Sequence, residues 1–462
     1  MLGNKNKFIN FCDKLSMVLF CIVMFDATVF GAGRIVNLGP LSFRQIALLL
    51  LGVSCIPLLL VNFKQIIKNK FIWAIIAFLI WFLISTIIGV KNENRLVSID
   101  FNGFLYLVFM PLALVVLNST KKVNILMKVM ICGSAVLALI TIAHLILYVC
   151  NISLFDEIAN FEIQIKFARI SHISKSIPRI YMLSALYMIA GCAFSMYFLR
   201  REKVAWKKWG YITTVAICFF ALLLSYTRSI YASVLVSAVV VFIYLFFSVS
   251  KKERIKLISN TCACVILFIG IGGVFSLSTG ANYMGYALSR STVGMMEEEP
   301  NLEGDQDFDS ENSDLVDSEN QELDHYNQIT LKSDQLRAIT INESIEYIKK
   351  SPIIGHGLGF TVPSRPDGNE YSYLDIWLKM GIVGLILYFL PIVFILINIF
   401  KTCNEGVFSR KIKVMWFAVL MGVMVYSLFN PYINSALGIF IYSCTMVISQ
   451  NTIRKKTDIL EM

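Results

Sequence analysis

The side chains best suited to chemistry in this sequence are arginines set against long apolar stretches. Arg228 is the one charged residue in "FFALLLSYTRSIYASVLVSAVVVFIYLFF" (219–247), where Ser225, Tyr226, Thr227 and Ser229 supply a polar flank. Arg337 sits in "SDQLRAITINESIEYIKKSPIIGHGLGF" (333–360), and Arg169, Arg179, Arg290 and Arg365 lie in other polar segments. A guanidinium is planar, permanently charged and donates parallel N–H bonds, a match to phosphate or pyrophosphate that lysine's point charge lacks. Structural ion pairing is the competing reading for each. Two more groups are acid–base candidates. His356 lies in a glycine turn, where packing or a backbone bond would serve it equally. Asp375 lies about one turn inside an apolar run, where an acid is functional by default, although Lys379 at i+4 offers an ordinary partner. Asp26 and His144, lone polar groups in apolar runs, read as structural or lipid-path residues.

Membrane-spanning helices must position these residues. The chain has 462 residues, 57% hydrophobic and 16% charged, against roughly 45–50% and about 25% in soluble domains. The excess falls in repeated runs of about 20 residues, the length that crosses a bilayer as a helix. The expected fold is all-α and polytopic. Twelve spans are read near 15–31, 43–61, 71–90, 101–117, 129–149, 180–199, 210–225, 229–249, 257–278, 374–400, 412–429 and 432–450. Nine spans thus fill 1–278, a large loop occupies 279–373, and three spans with a tail complete 374–462. The N-terminus resembles a signal peptide, but the many spans that follow favour a retained first span.

The net charge of +10 reflects topology, not nucleic-acid binding. With a cytoplasmic N-terminus, alternation places 25 of the 41 Lys and Arg residues in seven short inner segments, so both termini are expected in the cytoplasm. The outer side then holds residues 150–179, the large loop and the turn at Ser225–Ser229, which puts Arg228 at the outer membrane surface. Nine of the 15 outer basic residues are arginine, against five of the 25 inner ones. Topology accounts for inner lysine but not for outer arginine. Eight of the 11 cysteines lie inside apolar runs and read as small buried hydrophobes. No cysteine or histidine spacing suits a metal.

Within the large loop, 297–324 carries 13 acidic residues and no basic one, and reads as a disordered, solvated insert. A calcium loop fits poorly, because Ser310 stands where glycine is needed and Val316 where glutamate is. A helix is expected over 333–351, with Ser333 or Asp334 as N-cap, an apolar stripe of Leu336, Ile339, Ile345 and Ile348, and Pro352 as the stop. Gly355, Gly357 and Gly359 then make a sharp, close-packed turn toward the membrane. Its spacing matches no nucleotide-binding pattern.

Three segments, in this order, resemble the O-antigen ligase and O-antigen polymerase superfamily. "LLLSYTRSIYASVL" is similar to its Ser-x-x-Arg span junction, and "QLRAITINESIEYIKKSPIIGHGLGF" to its loop signature of an arginine-led helix ending in a Pro-x-x-Gly-x-Gly turn. "EYSYLDIWLKMGIVGLILYFLPI" resembles the His-Asn segment leading into the next span. Here Glu370 and Tyr371 stand at the histidine and asparagine positions. The ligase branch relies on that histidine, so the departure points to the polymerase branch.

The resemblance implies an inverting, metal-independent glycosyltransferase without a cofactor. It would join undecaprenyl-pyrophosphate-linked oligosaccharide repeats into an O-antigen, capsule or exopolysaccharide at the outer face of the bacterial plasma membrane. A ligase passing glycan to lipid A core or another acceptor is one alternative, and a transporter or flippase another. The implied partners are the lipid-linked oligosaccharide, membrane lipids, a chain-length regulator and a flippase, with no nucleic acid. In that reading Arg228 and Arg337 hold the pyrophosphate, and Arg169, Arg179, Arg290 and Arg365 support them. Glu370 leads as general base, at the motif position and entering a span, followed by His356 and Asp375.

Overall fold

The computed structural model describes residues 2–31, 37–38, 41–174, 177–247, 250–280, 282–292, 317–400 and 408–450. A backbone in lipid can pair only with itself, so apolar runs of span length fold as helices. The first half begins with α1 (Leu2–Val29), a short β1–β2 pair (Asn37–Leu38, Leu41–Ser42), α2 (Phe43–Ile67) and α3 (Lys70–Lys91). It continues through α4 (Val97–Leu105), α5 (Phe109–Val116), α6 (Thr120–Val149) and α7 (Leu154–Gln164) to a hairpin of β3 (Ala168–Ser174) and β4 (Ile177–Met182). Then come α8 (Leu186–Leu199), α9 (Ala205–Leu223), α10 (Arg228–Phe247), α11 (Lys251–Thr279), α12 (Tyr283–Thr292) and α13 (Asp317–Lys350). The chain closes with α14 (Ser372–Phe400), α15 (Arg410–Tyr426) and α16 (Ala436–Ser449). Seven helical stretches among the described residues are long and apolar enough to cross a membrane, and three shorter apolar helices accompany them. The chain is an all-α polytopic membrane protein.

Helix pairs α1–α2, α6–α8, α8–α9 and α3–α14 pack closely, and α10 lies along α15. Phe78, Phe82, Phe104 and Tyr388 form an aromatic nest between α3, α4 and α14, with Phe78 and Tyr388 centroids 5.1 Å apart. Edge-on rings of this kind add about 0.5–1.5 kcal/mol per pair beyond burial. Asp26 and His144 are not lone groups. Asp26 meets Arg44 at 2.6 Å, and His144 faces Glu162 of α7 at 3.1 Å. Arg44 also donates to the Gly31 carbonyl, so this arginine is committed to holding α2 against α1 and the segment that follows it.

Three local structures differ from the sequence reading. The span expected from 180 begins in β4, and α8 starts at Leu186. The loop helix α13 starts at Asp317 rather than near 333, because "SENQELDHYNQITLK" (318–332) lacks proline and glycine and is rich in helix formers. Residues 317–324 of the acidic insert are therefore helical, while 297–316 lie outside the described residues. The buried face of α13 is Thr340, Ser344 and Ile348, whereas Ile339 and Ile345 are exposed. That face closes on polar contacts: Thr340 Oγ1 is 3.0 Å from Ser364 Oγ, and Asn369 donates to Ser344 Oγ at 3.2 Å.

The third difference is a break in α14 at Gly381 (φ +67°, ψ −176°). The turn after α13 fills the gap. His356 and Gly357 N–H groups donate to the Leu378 and Lys379 carbonyls at 2.9 Å, and Ile382 N–H donates to Pro352 O at 2.9 Å. Backbone groups released by the break are thus paired inside the protein, as lipid requires. Glycine is needed on both sides of the join. A Cβ on Gly381 would lie 1.9 Å from Ile353 O, and one on Gly357 (φ +86°) 2.4 Å from Gly89 N.

Candidate functional site

The site is built around the connection between α9 and α10. Tyr226 there is buried and left-handed (φ +46°), a conformation that non-glycine residues adopt rarely and that clusters at functional positions. Two neighbouring elements clamp this connection. From β4, Arg179 donates to Ser225 O at 3.1 Å and Thr227 Oγ1 at 3.3 Å, while Ile180 N–H donates to Leu224 O at 3.0 Å. From the α15–α16 connection, Asn430 Nδ2 donates to Ser229 Oγ at 3.1 Å, and its carbonyl accepts from Ser372 Oγ at 2.9 Å.

Arg228, held this way, is the first residue of α10. A cation there opposes the positive end of the helix dipole, so a carboxylate partner is favoured. Asp334 of α13 supplies it: Arg228 Nη2 donates to both carboxylate oxygens at 2.7 Å. Arg337, one turn along α13, donates to Asp334 Oδ1 at 2.9 Å. Beyond it Arg337 Nε lies 3.7 Å from Glu370 Oε2, and Arg365 Nη1 lies 3.4 Å from Glu370 Oε1. Arg228, Arg337, Arg365, Asp334 and Glu370 thus form one continuous ionic chain, each side chain about one-third exposed or less. Burial pushes the Asp334 carboxyl upward, but the Arg228 and Arg337 guanidiniums outweigh it and hold the group below its ordinary range. Burial also raises the phenol of Tyr371, the residue next to Glu370, against the pull of Arg337 and Arg365. The arrangement can bind a multiply charged anion with two or three guanidiniums and offer a carboxylate beside it.

The remaining candidates are distributed as follows. Arg169 and Arg179 share a face of the hairpin, since Arg169 pairs with Tyr181 and Ser171 with Arg179. Arg179 reaches the connection, Arg169 is exposed, and α13 packs against β3. Arg290 lies in α12, and its side chain is outside the described residues. Asp375 is buried with its i+4 partner Lys379, which bridges it at 2.9 Å to Asp100 of α4 at 2.9–3.0 Å. This triad sits just before the α14 break, and Asp100 also accepts from Gly359 N–H at 2.6 Å. His356 is engaged away from the arginines, on α13 and the glycine turn. Its ring stacks on Phe360 at 4.5 Å, and Nε2 donates to Tyr347 O at 2.8 Å.

Sequence reasoning missed the roles of Asp334, Asp100 and Asn430. Asp334 was legible only as a helix cap, and it is no cap because α13 begins 17 residues earlier, at Asp317. Asp100 carries a weak signal, as an acid beside an apolar run. Asn430 carries none.

Fold and site together define a polytopic helical membrane protein that gathers arginines from separate segments where spans and a loop helix meet. Residues 213–389 match the family model described as O-antigen ligase. That match supports a relation to the O-antigen polymerase and ligase superfamily. The match spans Arg228, Asp334, Arg337, Arg365 and Glu370, and it leaves Arg169 and Arg179 outside. No curated protein matches the chain.

Proposed function

We propose that this protein polymerises undecaprenyl-pyrophosphate-linked oligosaccharide repeats into a surface polysaccharide at the outer face of the plasma membrane, with both termini in the cytoplasm. The observation that carries the proposal is the convergence of Arg228, Arg337 and Arg365 on two carboxylates. In the transfer, an acceptor hydroxyl oxygen bonds to the anomeric carbon of the donor as the bond from that carbon to the phosphate oxygen breaks. The lipid pyrophosphate leaves with the electron pair, and guanidiniums stabilise the charge it gains. Glu370 is the carboxylate placed to take the hydroxyl proton. An apolar cavity of about 330 Å³ between α8, α9, α10 and α11, lined by residues such as Ala193, Val234, Val241 and Phe268, suits an apolar chain of the donor.

Ligation to another acceptor is the second reading, favoured by the family description. A transporter would fit a broken helix, but here the break is filled by the chain's own turn. Deleting the gene and resolving the surface glycan on a gel tests the proposal. Single-repeat product without a ladder supports polymerisation. Finished polymer stranded on its lipid carrier means ligation, and repeats trapped on the cytoplasmic leaflet mean transport.

A further inference from the structure

Asp334 does not merely neighbour the two central arginines; it occupies the place between them. Its two oxygens receive Arg228 Nη2 at 2.7 Å, and one of them also receives Arg337 Nη1 at 2.9 Å. A carboxylate gripped by guanidiniums from two elements has the shape and charge of a bound phosphate edge. The two arginines also stand in different frames. Arg228 is fixed by the α9–α10 connection, whereas Arg337 and Asp334 move together as i,i+3 neighbours on α13.

We propose that Asp334 is an internal ligand of the anion seat, displaced when a pyrophosphate takes Arg228 and Arg337. This rests on the reading of those arginines as pyrophosphate ligands and adds what that reading leaves open, namely how the seat is kept filled before substrate arrives. An arginine pair left bare beside a membrane would bind any passing anion. A tethered carboxylate suppresses that, because the apparent dissociation constant of every competing anion is divided by the fraction of seats standing open. Competition of this kind acts on the seat and not on the ligand, so it weakens all anions by one common factor. Displacement also breaks the Arg228–Asp334 ion pair that joins α10 to α13.

The test is calorimetric binding of inorganic pyrophosphate, farnesyl pyrophosphate and sulfate to the full-length protein in detergent at fixed ionic strength. Wild type, Asp334→Asn and Glu346→Gln are compared. Asp334→Asn keeps the side-chain shape but removes the competing charge. It is expected to tighten all three ligands by one factor of about ten, equivalent to 1.4 kcal/mol. Glu346→Gln removes the same charge from an exposed position farther along α13, and is expected to change binding less than threefold. The farnesyl compound separates a lipid pyrophosphate from the free anion: a larger wild-type affinity for it assigns the seat to a lipid headgroup. Equal gains in the two variants would reduce Asp334 to background charge and overturn the inference. Weaker binding by Asp334→Asn would overturn it too, making Asp334 a residue that orients the arginines. If neither wild type nor Asp334→Asn binds any of the three, the pyrophosphate reading itself fails and the inference falls with it.

Discussion

Replacing Lys379 by methionine should be the most destabilising single change near the site. Lys379 is 3% exposed, and its ammonium is the shared partner of Asp100 at 2.9 Å and Asp375 at 2.9 Å. Methionine preserves the volume and leaves two carboxylates facing one another without a counter-charge. Removing one partner of a buried pair costs about 3–5 kcal/mol, because the remaining charge stays desolvated. Asp375→Asn should cost less, about 1.5–3 kcal/mol, since Lys379 keeps Asp100 and loses one charged hydrogen bond. Combining the two should relieve part of the Lys379→Met penalty, because one of the stranded carboxylates is then gone. SDS titration of the purified protein in mixed micelles, followed by tryptophan fluorescence, measures all three. A Lys379→Met variant within about 1 kcal/mol of wild type would refute the reasoning, as would a double variant less stable than Lys379→Met alone.

Other expectations follow from the same geometry. Gly381→Ala and Gly357→Ala should each lower the melting temperature in detergent sharply, because the new Cβ would meet backbone at 1.9 and 2.4 Å; a normal melt for either would mean the turn does not fill the helix break. Arg179→Ala should cost about tenfold in transfer rate, by freeing the Ser225–Thr227 connection it bonds twice, whereas the exposed Arg169 should tolerate alanine better. Asp334 has its pKa lowered in the folded state, so its link between α13 and α10 is complete above the ordinary carboxylate range and is lost as pH falls through the lowered value. The stability difference between wild type and Asp334→Asn should therefore be constant near neutral pH and shrink below about pH 4.

Much of the site was legible because arginine stands out against an apolar background. Arg228 and Arg337 stood out by type and place, and Glu370 by the resemblance that sets it at the histidine position before a span. Their meeting could not be read, since Arg228 and Asp334 are 106 residues apart and belong to different elements. Composition misled at α13, where acidic charge suggested disorder while the absence of glycine and proline allowed a helix from Asp317. The hairpin at Ala168–Met182 was hidden because the alternation in "ARISHISKSIPRIYM" is irregular, although it places both arginines on one face. Nothing in the sequence around Gly381 marks a break. Only the turn from Pro352 to Gly357, packed into it from upstream in the chain, turns it into a break.

The central claim is that Arg228 and Arg337 act on the lipid pyrophosphate of the donor. Its most direct test is a reaction of the purified protein with lipid-linked repeat units, reading released polyprenyl pyrophosphate and product length together. Arg228→Ala and Arg337→Ala should each cut release by about 10²-fold or more, as loss of a preorganised charge partner does, while the protein stays folded. Undiminished release and an unchanged ladder in both variants would contradict the account.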